Sequence, residues 1–153
     1  LSVLATLLVS TLLHFLSLCC ALWKMSWQSY VDDQLIASAT VKDGAILGLD
    51  GSIWAKSAGF TLSAEEAANI AYCAQHPQSL FGDAPRALLL RGDKFMVLKA
   101  EDSLIYIRKD ADGGCISKTN QCVVVGVYGE GMQPGKCNVT VEVLADYLKD
   151  NGY

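Results

Sequence analysis

The rhythm of apolar and polar positions changes several times along the chain. From Leu1 to Trp23 apolar residues run nearly unbroken, and the first charged residue is Lys24. A helical rhythm follows. Ser26 is a good N-cap, and Trp27, Tyr30, Val31 and Leu35 fall on one stripe at about 100° per residue, which predicts a helix to about Ser38. Its aliphatic edge suits a core, while the aromatic edge, Trp27 with Tyr30, lies to one side. Between Gly44 and Ser57 two apolar runs flank Asp50-Gly51, the signal of a hairpin with a tight primed turn and Trp54 on the second strand. Ser63-Ala-Glu-Glu66 is a capping box opening an alanine-rich helix to about Ala74, with Pro77 helping to end it and residues 75–85 as loop.

Five strand-like runs come next: Ala87–Leu90, Lys94–Lys99, Leu104–Arg108, Cys115–Thr119 and Cys122–Tyr128. Their short connections, Gly92-Asp93, Glu101-Asp102 and Asp112-Gly113-Gly114 among them, imply an antiparallel meander. After a loop from Gly129 to Gly135, Asn138 is placed to cap a last helix to about Asn151, with Gly152 as its stop. The apolar residues of that helix cover well over half its circumference, more than the roughly 100° that one core contact needs. Two readings stand: a deeply buried helix, or one whose edge carrying Tyr147 serves a second surface. The order of elements gives an α+β fold with helices packed on an antiparallel sheet.

Composition sharpens the picture in three places. The chain has 153 residues, 52% apolar and 18% charged, with net charge −4. That is one ordinary domain, neither disordered nor a strongly basic nucleic-acid binder. The first 24 residues are a separate population. They could span a bilayer, which takes roughly 20 apolar residues, but Ser2, Thr6, Ser10, Thr11, His14 and Ser17 interrupt the run and it lacks the basic start of a secretory signal. Residue one is Leu, and the next Met, Met25, stands directly before the first helix signal. We expect residues 1–24 to be a gene-model extension, with a membrane anchor or a signal sequence as the alternatives, and residues 25–153 to be the domain. Without Lys24 that domain carries net charge −5.

The four cysteines beyond the leader, Cys73, Cys115, Cys122 and Cys137, show no Cys-x-x-Cys spacing, and the only histidines are His14 and His76. No zinc site, other metal or cofactor is expected, and four thiols are too few for a disulfide scaffold. We therefore expect a reducing, cytosolic compartment, where the sequon Asn138-Val139-Thr140 is silent. Cys73 and His76 are spaced as a thiol and its base could be, but no orienting third group or nucleophile motif accompanies them. Glu65 and Glu66 are explained by the helix dipole. Catalysis is not expected.

The chain resembles a profilin, and a protist profilin in particular. Met25-Ser26-Trp27-Gln28-Ser29-Tyr30-Val31-Asp32 is similar to the family's first helix, and Gly48-Leu49-Asp50-Gly51-Ser52-Ile53-Trp54-Ala55 to its first hairpin. Gln133-Pro134-Gly135-Lys136-Cys137-Asn138 and Leu144-Ala145-Asp146-Tyr147-Leu148 are similar to its last loop and helix. The similarity spans residues 25–153. It implies a central antiparallel meander with the N- and C-terminal helices on one face and further helix on the other. It also implies binding to monomeric actin, regulation of actin polymerisation by monomer sequestration, promotion of actin nucleotide exchange, and binding of proline-rich segments of assembly factors such as formins. Many members bind phosphoinositide lipids as well. The implied location is the cytoplasm and its cytoskeleton, and no nucleic-acid partner is implied.

The resemblance places Trp27, Tyr30, Trp54, Tyr147 and Tyr153 at the poly-proline-binding surface, with Leu148 beside them. The chemistry agrees. A polyproline II segment has no internal hydrogen bonds, so its receptor is a row of flat rings that stack on prolines and polar tips that reach carbonyls. The implied actin-binding residues are Lys94, Lys99, Arg108, Gly135 and Asn138, where basic groups would steer an acidic partner. Gln133 and Asp110 depart from residues found there in some relatives. Lys109 is a candidate phosphoinositide contact, although net charge −5 argues against strong nonspecific membrane attraction. The alternatives are a roadblock- or longin-like interaction scaffold, and a leader-anchored variant of the same fold.

Overall fold

The computed structural model describes residues 27–81 and 87–153. The described residues open with the helical segment α1 (residues 27–38), continue through β1 (Asp43–Gly48) and β2 (Ile53–Lys56), and reach helix α2 (Ala64–Gln75). A 3-10 turn, Pro77–Phe81, follows within the span expected to be plain loop. Then come β3 (Ala87–Leu90), β4 (Asp93–Ala100), β5 (Leu104–Lys109), β6 (Asp112–Lys118), β7 (Cys122–Tyr128) and helix α3 (Pro134–Asp150).

The strands form one antiparallel sheet in the order β2-β1-β7-β6-β5-β4-β3. From β3 to β7 it is the expected meander. The early hairpin joins it through β1 against β7, with Asp43 opposite Val127 and Gly48 opposite Cys122. This makes β7 a central strand buried on both faces, which is why it reads as an unbroken apolar run. Val123, Val125 and Val127 point into a core with Ala67, Ile70 and Ala74 of α2. Cys122, Val124 and Tyr128 point into a second core with Val31 and Leu35 of α1 and Val141, Leu144 and Leu148 of α3. The terminal helices thus share one face of the sheet and α2 covers the other.

Several local details differ from expectation. The primed turn is not at Asp50-Gly51. There only Gly51 takes positive φ, +87°, and its N–H donates to the Gly48 carbonyl at 3.0 Å, so Leu49–Gly51 is a three-residue loop. A two-residue loop with both φ values positive lies instead between β3 and β4, at Arg91 (57°) and Gly92 (77°). Asp112, Gly113 and Gly114, expected as a turn, belong to β6, and the reversal sits at Asp110 and Ala111. Helix α3 starts four residues before Asn138. Gln133 is its N-cap and Pro134 its first residue, where proline's fixed φ suits a helix and its missing N–H costs nothing. The capping box is as expected: Ser63 Oγ accepts from the Glu66 N–H and Glu66 Oε1 accepts from the Ser63 N–H, both at 3.1 Å.

Gly126 of β7 lies directly under α3, where a Cβ would collide with the Val141 side chain. The close approach of helix to sheet needs a residue without a side chain here. Gly126→Val is expected to lower stability by about 2–3 kcal/mol, as overpacking of a dense core does. A drop in the urea midpoint with unchanged slope would show it; an unchanged midpoint would refute it.

Candidate functional site

Aromatic rings from four parts of the chain converge beside the terminal helices. Trp27, at the start of α1, is the hub. Its ring centroid lies 4.7 Å from that of Trp54 on β2, 5.0 Å from Tyr153 at the C-terminus and 5.8 Å from Tyr30. Tyr30 is in turn 5.9 Å from Tyr147 near the end of α3. The rings are mostly half-buried, packed on the second core below and open to solvent above.

Each ring is held by local structure. After one α-helical turn, α1 widens into a π-helix, Tyr30–Leu35, and then tightens to a 3-10 turn, Ile36–Ser38, in place of the regular helix expected. Val31 and Leu35 are buried against the sheet, while Trp27 and Tyr30 stay at the rim. The Trp54 indole N–H donates to Ser52 Oγ at 3.2 Å, and the Ser52 hydroxyl donates to Asp50 Oδ1 at 2.6 Å, so the hairpin loop orients the ring. Beyond α3 the chain turns back at Gly152 (φ +85°). The Tyr153 N–H donates to the Leu148 carbonyl at 2.9 Å, and the Tyr153 carbonyl accepts from the Asn120 N–H at 3.1 Å. Burial, and then the hydrogen bond and charge of Tyr147, push the Tyr30 phenol above its ordinary value. It keeps its proton at neutral pH and remains able to donate to a ligand carbonyl.

Leu148 is placed differently from its neighbours. It is 0% exposed, in the core beneath the rings. It supports the trough from below and does not reach the surface.

The second set of expected residues lies on the same face of the sheet. Lys94, Met96 and Leu98 of β4 all face solvent, Leu89 of β3 is opposite Lys94, and Arg108 of β5 is opposite Met96. Arg108 Nε donates to the Asp110 carbonyl at 3.0 Å and its side chain is exposed. Lys99 is engaged by Glu101 at 2.6 Å, which leaves Lys94 and Arg108 as the more open basic groups of the patch; Lys109, engaged by Asp93 at 2.6 Å, alternates onto the opposite face of the sheet with Ile105 and Ile107. Gly135 is exposed in the first turn of α3. Asn138 is an interior helical residue and not a cap; its Oδ1 is buried and, among the described residues, has no hydrogen-bond partner.

The exposed apolar residues Leu89, Met96 and Leu98, interleaved with these cations, were not singled out by sequence reasoning. The alternation in Lys94-Phe95-Met96-Val97-Leu98 was the available signal, but both of its faces carry apolar residues and so it does not say which is outside. Val139 (59% exposed), Val143 (62%) and Tyr147 (49%) form a stripe along α3. The wide apolar arc of that helix is therefore explained by a second, exposed edge.

The four cysteines among the described residues are all buried thiols. Cys73 is buried and burial raises its thiol, while His76 packs its ring on Tyr72 at 4.7 Å. Burial pushes Cys137 up to about 12 and also raises Cys115 and Cys122. All four thiols should resist alkylation in the native protein near pH 8 and react once it is unfolded in urea; rapid native labelling of Cys115 or Cys137 would contradict this placement. Among the described residues no cluster of three His, Cys, Asp or Glu is arranged to hold a metal, and no helix is long and apolar enough to cross a membrane.

Comparison with known proteins agrees with this architecture. The sequence pattern of the Profilin family matches residues 25–153. Profilin-1 of Dictyostelium discoideum is 42% identical over 130 residues, covering 84% of this chain and all of the relative. Profilin-A of Physarum polycephalum is 43% identical over 129 residues, with the same coverage. The structure of Acanthamoeba castellanii profilin IA superposes with a TM-score of 0.76 at 38% identity, covering 83% of this chain and 99% of that one. With a seven-stranded sheet between two terminal helices and α2, and with relatives matched along their full length, this chain belongs to the profilin family.

Proposed function

We propose that residues 25–153 bind proline-rich segments in the aromatic trough and an actin monomer on the basic sheet face. In this reading the protein regulates actin polymerisation in the cytoplasm, promotes exchange of actin's nucleotide, and makes or breaks no covalent bond itself. The observation that carries it is the contact of Trp27 with Tyr30, Trp54 and Tyr153, extended to Tyr147. Five half-open rings, at least one with a protonated phenol, suit a ligand that is already extended, rigid and rich in unpaired carbonyls. Two proteins that share the fold at lower identity have been seen with partners of these kinds. They are mouse profilin IIa with a double repeat from the FH1 domain of mDia1 (21% identical) and LokiProfilin2 with rabbit actin (16%).

The contact residues on the trough are Trp27, Tyr30, Trp54, Tyr147 and Tyr153, with Leu148 as their support. On the actin side they are Lys94 and Arg108, with Lys99, Gly135 and Asn138 around them and Met96 and Leu98 as the apolar centre. Phosphoinositide binding would use Lys109, which must then exchange its ion pair with Asp93 for a lipid phosphate. Residues 1–24 lie outside this working unit; intact-mass measurement of the native protein tests whether they are present.

The two surfaces are tested separately. Retention on a poly-L-proline resin tests the trough. For the sheet face, Lys94→Glu combined with Arg108→Glu should weaken actin-monomer binding roughly tenfold or more and flatten its salt dependence, because reversing interface charges changes encounter most. Resin retention should be unchanged. Unaltered actin affinity in this double variant would remove the assignment of the sheet face.

A further inference from the structure

Beyond Tyr30 and Tyr147 the trough does not end. It opens into a groove of about 440 Å³ between α1 and α3, within the roughly 300–1,000 Å³ of small-ligand pockets. Leu144 forms its floor, Val139 and Val143 its α3 wall, and the exposed Gln34 amide its α1 wall. A second hollow of about 450 Å³ shares Val139 and Thr140 with it and continues to Gln133, Gly135 and Lys136 at the start of α3. The apolar edge of α3 is thus a track leading from the rings toward the first turn of the helix.

This track has no aromatic ring beyond Tyr147, so a proline ring has nothing flat to stack on there. Its wall is branched and aliphatic. Val139 and Val143 are one helical turn apart, about 6 Å along the axis. That matches the about 6.6 Å between side chains two residues apart in an extended chain. Gln34 can donate to or accept from the backbone of such a chain.

We propose that the groove holds the non-proline continuation of a proline-rich ligand, an extended segment that places aliphatic side chains two residues apart over Val143 and Val139. The inference rests on the proline-binding reading and adds to it the class of ligand preferred: a proline run that leads into alternating aliphatic residues. It also makes part of the ligand approach Gly135, on the side assigned to actin, so that a long ligand meets both surfaces where a short one meets only the rings.

The test titrates the whole chain with an oligoproline peptide, with the same peptide extended by Leu-Ala-Leu at one or the other end, and with matching Ser-Ala-Ser extensions. One of the leucine extensions should bind about tenfold tighter than oligoproline, and the serine extensions within about twofold of it. Val143→Asp should remove the leucine gain and leave oligoproline affinity unchanged; Val139→Asp should remove part of it. Both side chains are more than half exposed, so neither variant threatens the fold, and thermal unfolding checks this. Equal binding of leucine and serine extensions would overturn the proposal while leaving the trough intact. So would Val143→Asp weakening oligoproline as much as the extended peptide, or wild-type self-association abolished by Val143→Asp. Failure of oligoproline itself to bind would overturn the proline-binding reading, and this proposal with it.

Discussion

Trp27→Ala should abolish retention on poly-L-proline and weaken binding of a proline-rich peptide by about 100-fold or more, while actin-monomer affinity stays within about twofold. The size follows from the position of the ring. Trp27 touches Trp54, Tyr153 and Tyr30 at once, so its removal takes out one stacking surface and also loosens three others. Aromatic contacts of this kind contribute about 0.5–1.5 kcal/mol each beyond area burial, and a central interface tryptophan commonly accounts for 2 kcal/mol or more. Trp27→Phe should fall between, because it keeps a flat face but loses the indole N–H. Circular dichroism has to show a folded variant. A folded Trp27→Ala protein retained on the resin like the wild type would remove the trough from the functional account.

Leu148→Ala should cost about 2–5 kcal/mol of stability, the range for truncating a fully buried leucine and leaving a cavity. Leu148 is adjacent to Tyr147 in sequence, yet it is sealed beneath the rings with Leu144 and Val141. The midpoint of urea unfolding should therefore fall sharply. The fraction that remains folded should bind proline peptides only a few-fold more weakly, through looser seating of the rings. The opposite pattern, a large loss of affinity at unchanged stability, would mean that Leu148 meets the ligand directly and would contradict its burial.

Local chemistry was legible wherever partners sit close in sequence. Ser63 and Glu66 are three residues apart, and their reciprocal hydrogen bonds form as read. The bounds of β3 and β7 match the apolar runs, because short, dense apolar stretches leave little freedom in where a strand begins. Gly152 stops α3 as its type suggests. Where two signals competed, the reading failed. Asn138 is a good capping residue, but Pro134 four positions earlier offers a fixed φ at the first helical position, and the helix starts there. Asp50-Gly51 suits a primed turn, but the hairpin takes a three-residue loop with glycine alone at positive φ, and Gly51 is packed against Ala68 of α2.

The candidate site was legible as a set of residues and not as a shape. Trp27 and Tyr30 are neighbours on one helix, so their pairing follows from spacing alone. Nothing local ties them to Trp54 or Tyr153. The engagement of Lys109 was equally hidden: it is as basic in sequence as Lys94, and only the fold brings Asp93, sixteen residues earlier, to engage it.

The amino-acid order by itself determined the elements, the fold class and the identity of the aromatic and basic residues, since these depend on periodicity and on interactions within a few positions. Tertiary structure decided the rest. It paired β1 with β7, drew the two terminal helices onto one face of the sheet, buried Leu148 while leaving Tyr147 half open, and exposed Val139 and Val143 as the edge of a groove. The physical reason is that a side chain's exposure depends on which distant surface covers it. In α3 the same apolar character serves the core on one side and meets water on the other.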